Sequence, residues 1–368
     1  MKTSSHAGWS RWLDGMFCRG MQAIAGRQEG KFPPRFLDLS EHNVSDPHLL
    51  FPEPPALAND EIRGAAWERQ DKCWRRDFTF PSPLPTLHRK NDFVFVRTYA
   101  PERQLHLPAV IVLHGLMSIS TVAYRPFFRA IAEAGASAYF LELPYHHRRT
   151  PAGSFSGDLF YTADFEMTLH AVRQAVADVR RLAHYLREAE APVVGILGFS
   201  LGAWLAALAA CAEPELDFAL LAMPPAALND IVWESPLGGR IRRQFENAQW
   251  RRAVTAKFYR QLDPVTYHPL LPRDRIEIFA AEHDAIIALK NVLALQNAWA
   301  IPRLHQYPAG HISIMLSSAF KADATSAVQR QLAGGRALAG PVTVVPEESL
   351  RIISPAPVSI QGYRSPTN

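Results

Sequence analysis

Cysteine is scarce in this chain: Cys18, Cys73 and Cys211 are the only three among 368 residues, widely spaced and without a C-x-x-C pair. That argues against a disulfide framework and against a thiolate metal site, and suits a reducing compartment. Long apolar runs are lacking as well. Lys2 is followed by polar residues with no uninterrupted apolar core of the kind a secretory signal carries, and no run reaches the roughly 18 residues of a membrane span. The expected location is cytoplasmic. Nor does charge of one sign dominate, since 39 Lys and Arg against 35 Asp and Glu leave a formal net charge of +4. No basic run is interleaved with aromatic residues, so nucleic acid is not an expected partner. No internal repeat is visible. What is present is 48% hydrophobic and 20% charged residues, enough apolar surface for one large core. The chain divides into an N-terminal extension (1–89), one folded domain (90–332) and a Gly-, Pro- and Ser-rich tail (333–368) expected to be flexible.

Within the domain, apolar runs alternate with helical patterns. Residues 76–80 and 92–99 predict an antiparallel edge, followed by strands over 109–113, 136–141, 193–197, 218–222, 276–280 and 303–307. Helical patterns fall at 121–134, 164–188, 201–212, 285–298 and 312–332. This alternation predicts an α/β fold, a mainly parallel sheet with helices on both faces. Two insertions, 144–163 and 224–271, stand where such a sheet binds its ligand. The second contains Ile231, Val232, Trp233, Phe245, Trp250, Phe258 and Tyr259, and predicts a helical cap that lids an acyl pocket, packs against the body, or does both.

The motif with the most chemistry is Gly198-Phe199-Ser200-Leu201-Gly202, placed directly after an apolar strand and directly before an Ala-rich helix. A serine hydroxyl needs exposure at a tight turn and a base beside it; glycines two before and two after leave room for that turn. Downstream, Asp284 follows the strand over 276–280 and His311 follows the strand over 303–307, just after Gly310, which leaves space for the ring. Nucleophile, acid and histidine thus occur in the order that brings all three to one sheet edge. Asp230 and Glu234 are rival acids in the preceding loop. An oxyanion needs fixed donors, and the backbone amides of Leu116, after the strand ending at Leu113, and of Leu201, after the serine, fit that role. His114 reads as a structural hydrogen-bonding residue.

On the strength of His114-Gly115, the Gly198–Gly202 elbow, Asp284 and Gly310-His311, residues 90–332 resemble the α/β-hydrolase superfamily, serine esterase type. The stretch from Tyr139 to Pro151 is similar to the loop after the fourth strand in a poorly characterised α/β-hydrolase-domain group. Dienelactone hydrolases use a cysteine nucleophile, and epoxide hydrolases and haloalkane dehalogenases an aspartate, so the serine counts against all three. The single glycine after His114 counts against the HGGG lipases and esterases. The resemblance implies hydrolysis of a carboxylic ester, on a small molecule or a lipid, through an acyl-enzyme, with no metal or organic cofactor. The competing readings are a non-catalytic hydrolase-fold protein that binds a lipid or a protein partner, and a lipid-ester or thioester hydrolase at a membrane surface.

The extension reads separately. Trp9, Trp12, Leu13, Met16, Phe17, Met21 and Ile24 recur at helical spacing, with Arg11, Arg19 and Arg27 elsewhere around the helix. Such a helix either docks on the body by its apolar face, the expectation here, or makes peripheral contact with a membrane. The following Pro-rich segment predicts extended chain pinned by Trp67 and Trp74. His146, His147, Arg148 and Arg149 form a basic cluster, expected to be solvated or internally paired, with a substrate carboxylate or phosphate as the other reading.

Overall fold

The computed structural model describes residues 2–25, 33–35, 46–70 and 72–339. Arg27 and the tail from residue 340 onward lie outside them. The strands are β1 (Arg63–Gly64), β2 (Glu68–Gln70), β3 (Cys73–Pro81), β4 (Phe93–Ala100), β5 (Ala109–Leu113), β6 (Ser137–Leu141), β7 (Val194–Phe199), β8 (Phe218–Ala222), β9 (Ile276–Ala281) and β10 (Arg303–Tyr307). They form one sheet in the order β1-β3-β4-β6-β5-β7-β8-β9-β10, with β2 also paired to β3. Pairing is antiparallel from β1 to β6 and parallel from β6 to β10. Strands β5 to β9 are buried at every position. This is why they read as continuous apolar runs without alternation: helices cover both faces of a parallel sheet.

The helices are α1 (Lys2–Ala25), α2 (Pro47–Leu50), α3 (Arg125–Glu133), α4 (Phe165–Glu188), α5 (Leu201–Ala212), α6 (Leu228–Glu234), α7 (Gly239–Asn247), α8 (Arg252–Leu262), α9 (Leu289–Trp299) and α10 (Ser318–Ala339). Phe127 and Ile131 of α3 join Phe320 and Val328 of α10 in the core on one face. The other face receives Val172 and Val176 of α4, Leu205 and Leu208 of α5, and Val292 and Leu295 of α9. After β6 the chain crosses to β7 on the far side of β5, so the winding reverses between β5 and β7. A crevice at the carboxyl ends of strands opens at such a reversal, and the loops carrying Leu116 and Ser200 both start there.

The cap insertion forms α6, α7 and α8, and its aromatic side chains pack the insertion to the body. Phe258 stacks on Phe165 of α4 with ring centroids 3.7 Å apart, and Phe245, Phe258 and Tyr259 are fully buried.

The strand expected over 76–80 is present within β3, and β1 and β2 add to the same antiparallel edge. Three other expectations are corrected, beginning with what holds the extension. Its apolar pins are Leu50, Phe51 and Leu57, whereas Trp67 and Trp74 are only half-buried, with Arg76 over Trp67 and Arg103 over Trp74. Arg173 and Arg181 of α4 hold this segment by its carbonyls, donating to Leu50 O and Pro55 O. The chain also remains helical past residue 332, to the end of α10 at Ala339. Finally, α1 does not dock by its aromatic face: Trp9, Trp12, Met16 and Phe17 are 50%, 57%, 46% and 36% exposed, while Ser10, Asp14, Cys18 and Met21 are buried.

Candidate active site

Ser200 occupies the turn between β7 and α5 with φ 52° and ψ −116°, a conformation costing a non-glycine residue about 1–3 kcal/mol. The strand and helix hold it there: its N–H donates to Ala222 O at 2.8 Å, and its carbonyl accepts the first bonds of α5 from Ala203 and Trp204. The flanking glycines are a matter of space. A Cβ on Gly198 would lie 2.3 Å from Gly202 O, and one on Gly202 2.3 Å from Leu113 O. The turn therefore closes only because both positions lack a side chain.

Asp284 and His311 reach the same point from the loops after β9 and β10. His311 Nε2 lies 2.8 Å from Ser200 Oγ, and His311 Nδ1 lies 2.6 Å from Asp284 Oδ2. The other carboxylate oxygen of Asp284 accepts the N–H groups of Ile286 at 2.8 Å and Ile287 at 2.7 Å. Those bonds make a turn of 284–287, so α9 begins at Leu289 and not at residue 285. Burial alone would lower the His311 pKa, but Asp284, in contact with the ring, and Asp14 nearby outweigh it and hold the imidazole above its ordinary value. The rival acids are elsewhere: Asp230 and Glu234 pair with Arg252 at 2.6 and 2.7 Å on the surface.

The loop after β5 passes beside the serine, since a Cβ built on Gly115 would lie 3.6 Å from Ser200 Cβ. Among the described residues the amides of Leu116 and Leu201 have no hydrogen-bond acceptor, which in a packed site calls for an explanation. Their neighbours are fixed. Gly115 N–H donates to Tyr124 Oη at 3.0 Å, and Met117 N–H donates to His146 Nε2 at 3.2 Å. His146 can accept because burial pushes its pKa down to about 3, and its Nδ1 is tied to Pro144 O at 2.8 Å. His114 is likewise buried and neutral, receiving Leu143 N–H at Nε2; its role is structural, as the sequence suggested. Tyr124, nine residues beyond Gly115 in the segment between β5 and α3, was not marked as a site residue by sequence, and His146 was read only as part of the basic cluster, because nothing in the sequence ties either ring to the amides of this loop.

The basic cluster is paired internally. Arg149 is fully buried and donates to Asp178 at 2.8 Å, and Arg148 donates to Glu142 at 2.9 Å. Beside Leu116 and Met117 lies a cavity of about 50 Å³, walled by Met21, Tyr161, Leu237 and Ile241 and edged by Asp158 and Arg240. Among the described residues, no group of three or more His, Cys, Asp or Glu is placed to hold a metal ion, and no helix is long and apolar enough to cross a membrane.

Comparison with solved structures finds the same architecture in an acetyl xylan esterase from Thermoanaerobacterium sp. JW/SL YS485, with TM-score 0.59 and 16% identity over 84% of this chain and 98% of that one. An acetyl xylan esterase from Paenibacillus sp. R4 matches equally, with TM-score 0.59 and 16% identity over 83% and 98%. Among curated sequences, an uncharacterised protein of Mycobacterium tuberculosis is 29% identical over 188 residues, 50% of this chain and 44% of that protein. The chain thus spans under half the length of that relative. The model of the alpha/beta hydrolase family matches residues 110–355, from β5 through every loop that meets at Ser200. By that match and by the fold, the chain belongs to the alpha/beta hydrolase family.

Proposed function

We propose that the protein is a serine hydrolase that cleaves carboxylic esters with small acyl groups. The observation that carries this reading is the continuous contact from Ser200 Oγ through His311 to Asp284, at 2.8 and 2.6 Å. In this mechanism His311 takes the Ser200 proton as the oxygen attacks the ester carbonyl, and Asp284 holds the imidazole in the tautomer that leaves Nε2 free to accept. The unpaired amides of Leu116 and Leu201 receive the charge that develops on the carbonyl oxygen. His311 then protonates the leaving alcohol, and water, deprotonated by the same ring, releases the acid.

What supports a small acyl group is the narrow cavity beside the Leu116 amide, about 50 Å³ and walled by Met21, Tyr161, Leu237 and Ile241. A series of p-nitrophenyl esters from acetyl to decanoyl tests it: kcat/KM is expected to be highest at two or three carbons and at least about tenfold lower by eight. A maximum at long chains would move the acyl group out of this cavity.

The exposure of Trp9, Trp12, Met16 and Phe17 on α1 favours a second reading, in which this face touches a lipid surface flanked by Arg11 and Arg19, both exposed. Aromatic and aliphatic side chains with basic neighbours suit the headgroup boundary. Co-sedimentation with anionic phosphatidylserine vesicles is expected for the wild type, weakened by salt and lost in Trp9→Ala/Trp12→Ala at an unchanged melting temperature. Equal sedimentation of both proteins would sink this reading and leave the esterase reading intact.

A further inference from the structure

Helix α1 presents Ser10, Asp14, Cys18 and Met21 inward at the spacing of one helical face. Asp14 is fully buried, and no cation pairs with it among the described residues. Its Oδ2 accepts the N–H groups of His311 at 2.9 Å and Ala285 at 3.0 Å, and its Oδ1 accepts Ile312 N–H at 3.0 Å. Ala285 follows Asp284, and Ile312 follows His311. One carboxylate, nearly the whole domain away in sequence, therefore ties the loop of the acid to the loop of the base. Nearby, Ser10 Oγ lies 3.2 Å from Ser313 Oγ, which accepts Gly310 N–H at 2.9 Å.

Gly310 is shaped for this contact. A Cβ there would stand 2.8 Å from Asp14 Oδ2 and 3.0 Å from the carbonyl oxygen of Ser10, so the glycine before the histidine makes room for α1 and not for the imidazole. Gln22, two turns further along α1, donates to Pro236 O in the cap at 2.6 Å. The same helix thus spans from the triad loops to the cap.

A buried carboxylate is costly without donors, and three amides only partly offset that cost. An apolar residue would hold the helix with less desolvation but would bring no charge and no acceptor for the two loops. We propose that Asp14 is a positioning residue for the reaction: it fixes the acid and histidine loops relative to each other and places a second negative charge beside the imidazolium formed when Ser200 gives up its proton. The proposal rests on the reading of Ser200, His311 and Asp284 as the catalytic groups. The charged groups that act on His311 here are Asp284 and Asp14; the Cys18 thiol lies near both carboxylates, and burial together with them pushes it up to about 12, so it stays neutral through the working range. The charge of Asp14 contributes to holding His311 above its ordinary pKa.

The test uses the full-length protein with p-nitrophenyl acetate and compares Asp14→Asn, Gly310→Ala and Ser200→Ala. Asp14→Asn is expected to keep its circular dichroism and to lose about 10²-fold in kcat with KM within about twofold, the size of loss that small misplacement produces. Its acid limb in kcat/KM against pH is expected to move to lower pH, because one of the charges stabilising the imidazolium is gone. A role confined to holding α1 in place would not move that limb in a folded protein. Gly310→Ala leaves α1 unaltered in sequence and should lower kcat by forcing the helix off the loops. Folded Asp14→Asn with wild-type kcat and an unmoved limb overturns the proposal while Ser200→Ala remains inactive. If Asp14→Asn does not fold, Gly310→Ala decides, and wild-type kcat in that variant overturns it. Activity retained in Ser200→Ala overturns instead the reading on which the proposal rests.

Discussion

Ser200→Ala is expected to lose ester hydrolysis by on the order of 10⁶-fold in kcat, the scale seen when a nucleophile is removed from a working triad. The fold should survive, because alanine keeps the Cβ and the turn is held by backbone bonds to Ala222, Ala203 and Trp204. Only the oxygen in contact with His311 disappears. A fluorophosphonate probe followed by peptide mass mapping should label Ser200 in the wild type and nothing in the variant. Labelling that persists in Ser200→Ala would place the nucleophile elsewhere. A wild type that neither labels nor hydrolyses any ester of the series would favour the non-catalytic binding protein, and the aligned side chains would then have no catalytic use.

What the sequence discloses about this site depends on how local each determinant is. The convergence of Ser200, Asp284 and His311 was legible because each follows a strand that the pattern marks, and β7 and β9, buried at every position, read as largely apolar runs. His311 was identified although β10 itself is an edge strand, half-exposed over most of its length, because Gly310 marked the turn. The reason first given for that glycine was nevertheless wrong: its neighbour is α1. Nothing near residue 310 announces a helix that begins at Lys2, and within α1 the loud signal is the aromatic face, which turns outward. The inward stripe of Ser10, Asp14 and Cys18 is polar or small and reads as ordinary surface until the loops it contacts are known. β1 and β2 were missed because two- and three-residue strands are too short to display any period, and the helix expected from residue 285 begins only at Leu289, after the turn that closes on the Asp284 carboxylate.

Asp284 carries the second large effect, through the tautomer it imposes on His311. Asp284→Asn is expected to lower kcat by about 10⁴-fold with little change in KM or melting temperature, as for the comparable change in serine-protease triads. The native carboxylate has two separate jobs, with Oδ1 accepting from Ile286 and Ile287 and Oδ2 facing His311 Nδ1 at 2.6 Å. An asparagine can meet the first demand only by keeping its oxygen toward the two amides, which turns its NH₂ group toward Nδ1. Nδ1 must then accept, the ring proton moves to Nε2, and Nε2 meets the Ser200 hydroxyl as a donor unable to take its proton. Geometry is retained and the base is lost. Asp230→Asn provides the control: it alters only a surface pair with Arg252 and should leave turnover within about twofold, as most exposed pairs contribute little. A large loss in Asp230→Asn with little in Asp284→Asn would move the acid to the loop after β8, and would require that loop to reach His311 across a contact that Asp284 now occupies.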